Sequence, residues 1–91
     1  MTEDACRIDV WLWRARFFKT RALAAQFVED GRIRRGDIRL DKPSRTVRCG
    51  DHLVFAQSGR LHAVTVDALG ERRGPASEAR MLYSLTPAVM D

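Results

Sequence analysis

Fourteen of the sixteen cationic side chains are arginine, and they are not spread evenly along the chain. Residues 7 to 48 hold twelve of the sixteen basic side chains and five of the twelve acidic ones, a local net charge of +7. The whole chain carries +4, so the remainder is −3. The chemistry open to such a cluster is non-covalent. A guanidinium offers a planar fork of donors that matches phosphate oxygens and stacks on bases, where lysine is a point charge. Bias in position and bias in residue type agree, which favours a nucleic-acid footprint over a merely solvated basic face.

Covalent or metal chemistry finds no comparable set. Cys6 and Cys49 are the only cysteines, and His52 and His62 the only histidines. No C-x-x-C or H-x-x-x-H spacing occurs, so no zinc site and no cofactor is expected, and both thiols are expected to stay reduced. No nucleophile and base stand in a recognisable order, and no glycine-rich phosphate loop appears. The chain is therefore read as non-catalytic. At 91 residues it accommodates one domain, with 45% apolar residues to build a core. No apolar run approaches the ~18 residues of a membrane span, and the acidic start "MTEDAC" does not resemble a secretory signal. A cytoplasmic protein with no membrane partner is the expectation.

The elements that position the cations follow from periodicity. In "RIDVWLWRARFFKTR", taken as a helix at about 100° per residue, Ile8, Trp11, Leu12, Ala15 and Phe18 share one stripe, the core face. Val10, Trp13 and Phe17 form a smaller apolar stripe on the opposite side. Thr20 is an N-cap for a second helix, Arg21 to Asp30, with Gly31 as its C-cap. Leu23 with Phe27, and Ala24 with Val28, pair at i,i+4 to meet the first helix. A connection of one or two residues makes a tight corner, whose solvent edge carries Arg16, Lys19 and Arg21.

After Gly31 the period changes. "RIRRGDIRLD" reads as a strand, a Gly36-Asp37 turn and a second strand with Ile38 and Leu40 on one face. "KPSRTVRCGD" reads as irregular. "HLVFA" and "LHAVTVDAL" are strands joined by a hairpin turn in "QSGR". Pro75 fits the first turn of a terminal helix that turns Ala79, Leu82 and Tyr83 inward. The expected fold class is α+β: two helices in a tight corner on a small, mostly antiparallel sheet, with a short C-terminal helical tail.

Cations, a cap hydroxyl and the free N–H groups of a helix start make Lys19, Thr20 and Arg21, with Arg16, the strongest phosphate-binding candidates. Arg7 and Asp9 lie at the start of helix one, where Asp9 suits the first turn and is read as a residue that holds a nearby arginine in place. Arg32 and Arg34 flank Ile33, so both would project from one strand face while Ile33 enters the core. Lys42 and Ser44 flank a proline-fixed loop. Trp13 and Phe17 have two readings, a stacking platform for unpaired bases or a surface covered by the terminal segment. The second is favoured, because Ala79, Leu82 and Tyr83 need a partner.

"R-I-D-x-W-L", "K-T-R-x-x-A", "G-R-I-R" and "K-P-S" follow one another in an order that resembles the RNA-binding domain named for ribosomal protein S-four, the alpha-L motif. The resemblance covers residues 7–56 and leaves 57–91 as a strand and helical extension of the same compact unit. "WLWRARFFKTR" and "LGERRGPASEARMLY" resemble the small ribosome-associated heat-shock proteins of bacteria. This resemblance implies binding of ribosomal RNA on the large ribosomal subunit, in a stress or ribosome-rescue role, with tRNA an alternative RNA partner and a monomer expected. On its strength Arg7, Asp9, Arg16, Lys19, Thr20, Arg21, Arg32, Arg34, Lys42 and Ser44 form the expected RNA site. One departure stands out: where the family often has V-N-G, this chain has Arg35, Gly36 and Asp37. The competing classes are a protein-interaction module, a general basic nucleic-acid binder, and an appendage of an RNA-modifying or tRNA-charging enzyme, for whose catalytic domain this length leaves no room.

Overall fold

The computed structural model describes residues 4–86. In chain order the elements are β1 (Cys6–Arg7), α1 (Ile8–Arg14), α2 (Arg21–Glu29), β2 (Ile33–Arg35), β3 (Ile38–Leu40), β4 (Thr46–Val47), β5 (His52–Gln57), β6 (Arg60–Val66), α3 (Ala76–Ala79), a 3-10 turn (Arg80–Leu82) and β7 (Tyr83–Leu85). Strands β3-β2-β5-β6-β7 form one antiparallel sheet, and β1 pairs with β4 separately. The α+β class is as expected.

Alternation along the central strands makes one face of the sheet apolar. Ile33, Leu53, Phe55, Val64 and Val66 are buried there, against Trp11 and Leu12 of α1 and Ala24, Phe27 and Val28 of α2. Val54, paired with Arg34 and Ala63, points the other way and is exposed. Two hairpins set the register. Gly36, at φ 60°, opens the two-residue turn between Arg35 and Ile38. Ser58 and Gly59, at φ 55° and 73°, form the β5–β6 turn, where positive φ at both positions matches the right-handed strand twist.

The first helix is shorter than its apolar pattern suggests. It stops at Arg14, Ala15 is the C-cap, and Arg16 turns left-handed at φ 64°. The connection to α2 therefore runs from Ala15 to Thr20 rather than over one or two residues. Phe17 consequently leaves the phase it shared with Trp13. It packs edge-on against Phe55 at 5.1 Å between centroids and lies 4.9 Å from Tyr83. Three other expectations need correction. Leu23 is 53% exposed, because Ala24, Phe27 and Val28 already fill the inward stripe of α2. The stretch expected to be irregular contains β4, whose Val47 is buried opposite Cys6. The terminal helix is four residues long, with Pro75 as its N-cap rather than inside its first turn. The chain then extends as β7 beside β6, so Tyr83 approaches the core from a strand.

Candidate nucleic-acid interface

The start of α1 is held by its own acid. Asp9, 3% exposed, accepts from Arg7 through Nε at 3.1 Å and Nη2 at 3.0 Å, and from the Val10 N–H at 2.8 Å. One carboxylate thus accepts from a first-turn N–H and fixes a half-exposed arginine. The Ile8 N–H donates to the Arg45 carbonyl at 2.7 Å and the Asp9 N–H to Pro43 at 3.5 Å. Arg7 also pairs with Thr46 across β1 and β4. These bonds draw the loop bearing Lys42 and Ser44 to the same helix end as Arg7. Both Lys42 and Ser44 are exposed there.

The corner presents the second group. Thr20 is the N-cap of α2: its Oγ1 accepts from the Leu23 N–H at 3.1 Å, in extended backbone at φ −135°. Gly31, at φ 70°, closes the other end, its N–H donating to Val28 O at 2.8 Å. Lys19 and Arg21 flank the cap. Both side chains are exposed and have no hydrogen-bonded protein partner among the described residues. The positive charge of Arg21 acts on the Cys6 thiol, so Arg21 lies within Coulombic reach of the strand that carries Arg7. Arg16, in contrast, donates its Nε–H to the Gly74 carbonyl at 2.7 Å.

The remaining candidates divide. Arg32 precedes β2, and its guanidinium lies over the Phe27 ring at 4.7 Å from the centroid, a cation–π interaction with α2. Arg34 lies opposite Arg39 and Val54 on the outer side of the sheet. Two arginines directly across a ladder repel, an arrangement that an anion would relieve. Three arginines outside the expected site also make bonds to the backbone. Arg35 reaches back from the hairpin to donate to the Thr46 carbonyl. Arg14 donates to Gly70 O at 2.9 Å, and Arg73 to Trp13 O at 3.1 Å. Arg73 also lies 5.9 Å from the Trp13 ring centroid, so the ring is covered by this arginine, whereas Phe17 is covered by Tyr83.

Among the described residues no three His, Cys, Asp or Glu side chains gather as a metal site. No helix among them is long and apolar enough to cross a membrane. Cys6 is buried, and burial is the main cause that pushes its thiol pKa up, against the opposing charge of Arg14.

The S4 domain pattern matches residues 6–53, the stretch from β1 into β5. The chain is 45% identical over 80 residues to heat shock protein 15 of Escherichia coli strain K12, covering 88% of this chain and 59% of that protein. It is 33% identical over 86 residues to the small ribosomal subunit protein uS4 of Methylobacterium radiotolerans, covering 88% of this chain and 42% of the relative. The chain thus spans about three fifths of the length of the heat shock protein 15 relative. A solved trimeric structure of Vibrio cholerae heat shock protein 15 superposes with a TM-score of 0.85 at 36% identity, over 91% of this chain and 83% of that one. With a pattern that takes in both helices, the hairpin and the K-P-S loop, and with relatives alike in sequence and in fold, this chain belongs to the S4 domain family.

Proposed function

We propose that this chain is a non-catalytic RNA-binding protein of the cytoplasm that recognises structured ribosomal RNA on the large ribosomal subunit, in a stress or ribosome-rescue role. The observation that carries the reading is the pair Lys19 and Arg21. They flank a capped helix start within the S4 region, exposed and without a hydrogen-bonded protein partner among the described residues. The loop of Lys42 and Ser44, tied to the Asp9-held Arg7, supplies a second phosphate-binding group at the start of α1. The seven residues of α1 rise about 10 Å, so the two ends can meet different phosphates of a folded RNA. Such a surface grips phosphates, 2′-hydroxyls and shape more than base sequence. The relatives' names, heat shock protein 15 and uS4, support the stress and ribosomal parts of the reading. The working unit is read as one chain, since both groups come from a single copy.

The test is a salt series with a fragment of large-subunit ribosomal RNA, with tRNA and duplex DNA as competitors at matched phosphate. The wild type is expected to exceed the roughly 10⁻⁴ to 10⁻⁶ M of non-specific binding at physiological salt. The Lys19→Ala/Arg21→Ala variant is expected to bind less tightly, its salt slope shallower by about 0.7–0.9 for each phosphate no longer neutralised. Equal competition by DNA would reduce the protein to a general basic binder. Preferential competition by tRNA would move the target off the ribosomal RNA. Sedimentation of the free protein settles the single-chain reading, with a trimer like that of the Vibrio cholerae relative as the opposing outcome.

A further inference from the structure

The feature that the S4 region leaves unexplained lies where the segment after β6 crosses the end of α1. The end of α1 closes on its own backbone, with the Arg16 N–H donating to Trp13 O and the Phe17 N–H to Leu12 O, each at 3.1 Å, and a carbonyl oxygen can accept a second bond from a basic side chain. Here the side chain comes from far along the sequence. Arg73 Nε donates to Trp13 O at 3.1 Å, and its Nη2 to Phe18 O at 3.5 Å. The stitching also runs the other way: Arg16 Nε donates to Gly74 O at 2.7 Å, and Arg14 Nη1 to Gly70 O at 2.9 Å. Three guanidiniums thus sew the 70–74 loop to residues 13–18.

What they hold is not relaxed backbone. Arg16 sits at φ 64°, a left-handed conformation that costs a side-chain-bearing residue free energy; the local bonds at the helix end set it, and the bonds to the 70–74 loop add to them. Lys19, Thr20 and Arg21 follow within five residues. Their directions therefore depend on how the chain leaves Arg16, and Arg73 grips it on both sides, at Trp13 and at Phe18. The half-buried Arg73 has two donors engaged by carbonyls and lies toward the Trp13 ring, which leaves it poorly placed to meet a ligand.

We infer that Arg73 is a positioning residue for polyanion binding: it braces the 15–20 connection, and so sets the placement of Lys19 and Arg21, without touching the RNA. The inference rests on the RNA-binding reading of the corner. It makes a residue outside the matched stretch 6–53 necessary for the affinity of residues inside it.

Arg73→Ala and Arg73→Lys are measured beside the wild type and Lys19→Ala/Arg21→Ala, with the ribosomal RNA fragment, across a salt series. Both Arg73 variants are expected to bind roughly threefold to thirtyfold more weakly at every salt concentration, with the wild-type slope. Lysine is not expected to rescue, because one ammonium on a flexible stem does not reproduce a planar fork across two carbonyls. Unchanged affinity in Arg73→Ala, full rescue by lysine, or a slope shallower by the roughly 0.7–0.9 of one phosphate overturns the inference. Should Arg73→Ala not fold, nuclear magnetic resonance of the wild type decides. An Arg73 Nε–H signal protected from exchange and unmoved by RNA supports the brace, and an unprotected signal, or one shifted strongly by RNA, overturns it. A wild type that binds no RNA overturns the functional reading and the inference together. A wild type that binds, with a neutral Arg73→Ala, overturns the inference alone.

Discussion

At the junction of α1 with the 70–74 loop, Arg14, Arg16 and Arg73 donate to backbone carbonyls of the opposite segment. At the helix corner, the hairpin and the K-P-S loop, the side chains of Lys19, Arg21, Arg34 and Lys42 reach solvent with no hydrogen-bonded protein partner among the described residues. The two sets are chemically alike, and Arg14 and Arg16 stand within seven residues of Arg21. The difference lies in what faces them. The guanidiniums of Arg14 and Arg16 find the loop carbonyls of Gly70 and Gly74, and Arg73 adds a second donor to Trp13 O. A cation beside a capped helix start finds N–H groups pointing the same way as its own charge, and only an anion completes that arrangement. Net charge therefore overstates the binding surface: part of the arginine excess is internal structure.

Asp9 tests whether the two sets are linked, and it carries the largest expected effect. Its carboxylate is buried, accepts from the Val10 N–H and holds Arg7 at two points. Asp9→Ala removes charge-assisted bonds and leaves the Val10 N–H without its acceptor. A loss of about 2–4 kcal/mol is expected, less than for a fully buried pair because Arg7 is half-exposed. For a domain of this size that is roughly 10–20 °C in melting temperature. RNA affinity is expected to fall as well, since Arg7 is freed to wander. Thermal melts with normal stability and tight binding would show that Arg7 needs no partner.

Arg16 and Lys19 give the direct contrast. Arg16→Ala removes the bond to Gly74 and is expected to cost about 1–2 kcal/mol in urea unfolding. Lys19→Ala is expected to stay within about 0.5 kcal/mol of wild type, as for surface changes in general, while lowering the RNA salt slope. If the stability effects come out reversed, the division between engaged and free cations fails. Thr20→Ala lies between them, at about 1 kcal/mol for removal of an N-cap, and Thr20→Ser is expected to recover most of it.

Much of this was legible because some signals are local. The Thr20 cap, the Gly31 stop and the Ser58-Gly59 turn each depend on residues next to one another, and the structure places them as the sequence indicates. The end of α1 was not legible. Ala15 and Phe18 keep helical phase, but Phe17 gains more by meeting Phe55 and Tyr83 than by extending the helix. β1, β4 and β7 are two or three residues long, too short to show a period. Lys19 and Arg21 stood out by charge beside a cap. Arg73 did not, because its partners lie 60 and 55 residues away and a backbone carbonyl has no residue signature.

The smallest expected effect concerns the two thiols and bears on Arg14. Cys6 is 8% exposed, with Arg14 Nη1 3.6 Å from its sulfur, and Cys49 is exposed. A guanidinium that close would ordinarily favour a thiolate. Here burial, the larger cause, raises the Cys6 pKa above the ordinary 9.0, and Asp9 adds to the rise against the charges of Arg14 and Arg21. Arg14 has engaged Nη1 with Gly70 as well, so its charge is shared. The unfolded chain therefore releases this proton at lower pH than the folded one. The stability tied to Cys6 is complete below about pH 9 and falls as pH rises through the folded value. Urea titrations from pH 7 to 10 are expected to show that fall, flattened by Cys6→Ala and unaffected by Cys49→Ala. At pH 8 a thiol reagent is expected to label Cys49 at once and Cys6 only as the chain unfolds. Comparable labelling rates would mean that Arg14 activates the thiol, and would move Arg14 from the engaged cations to the available ones.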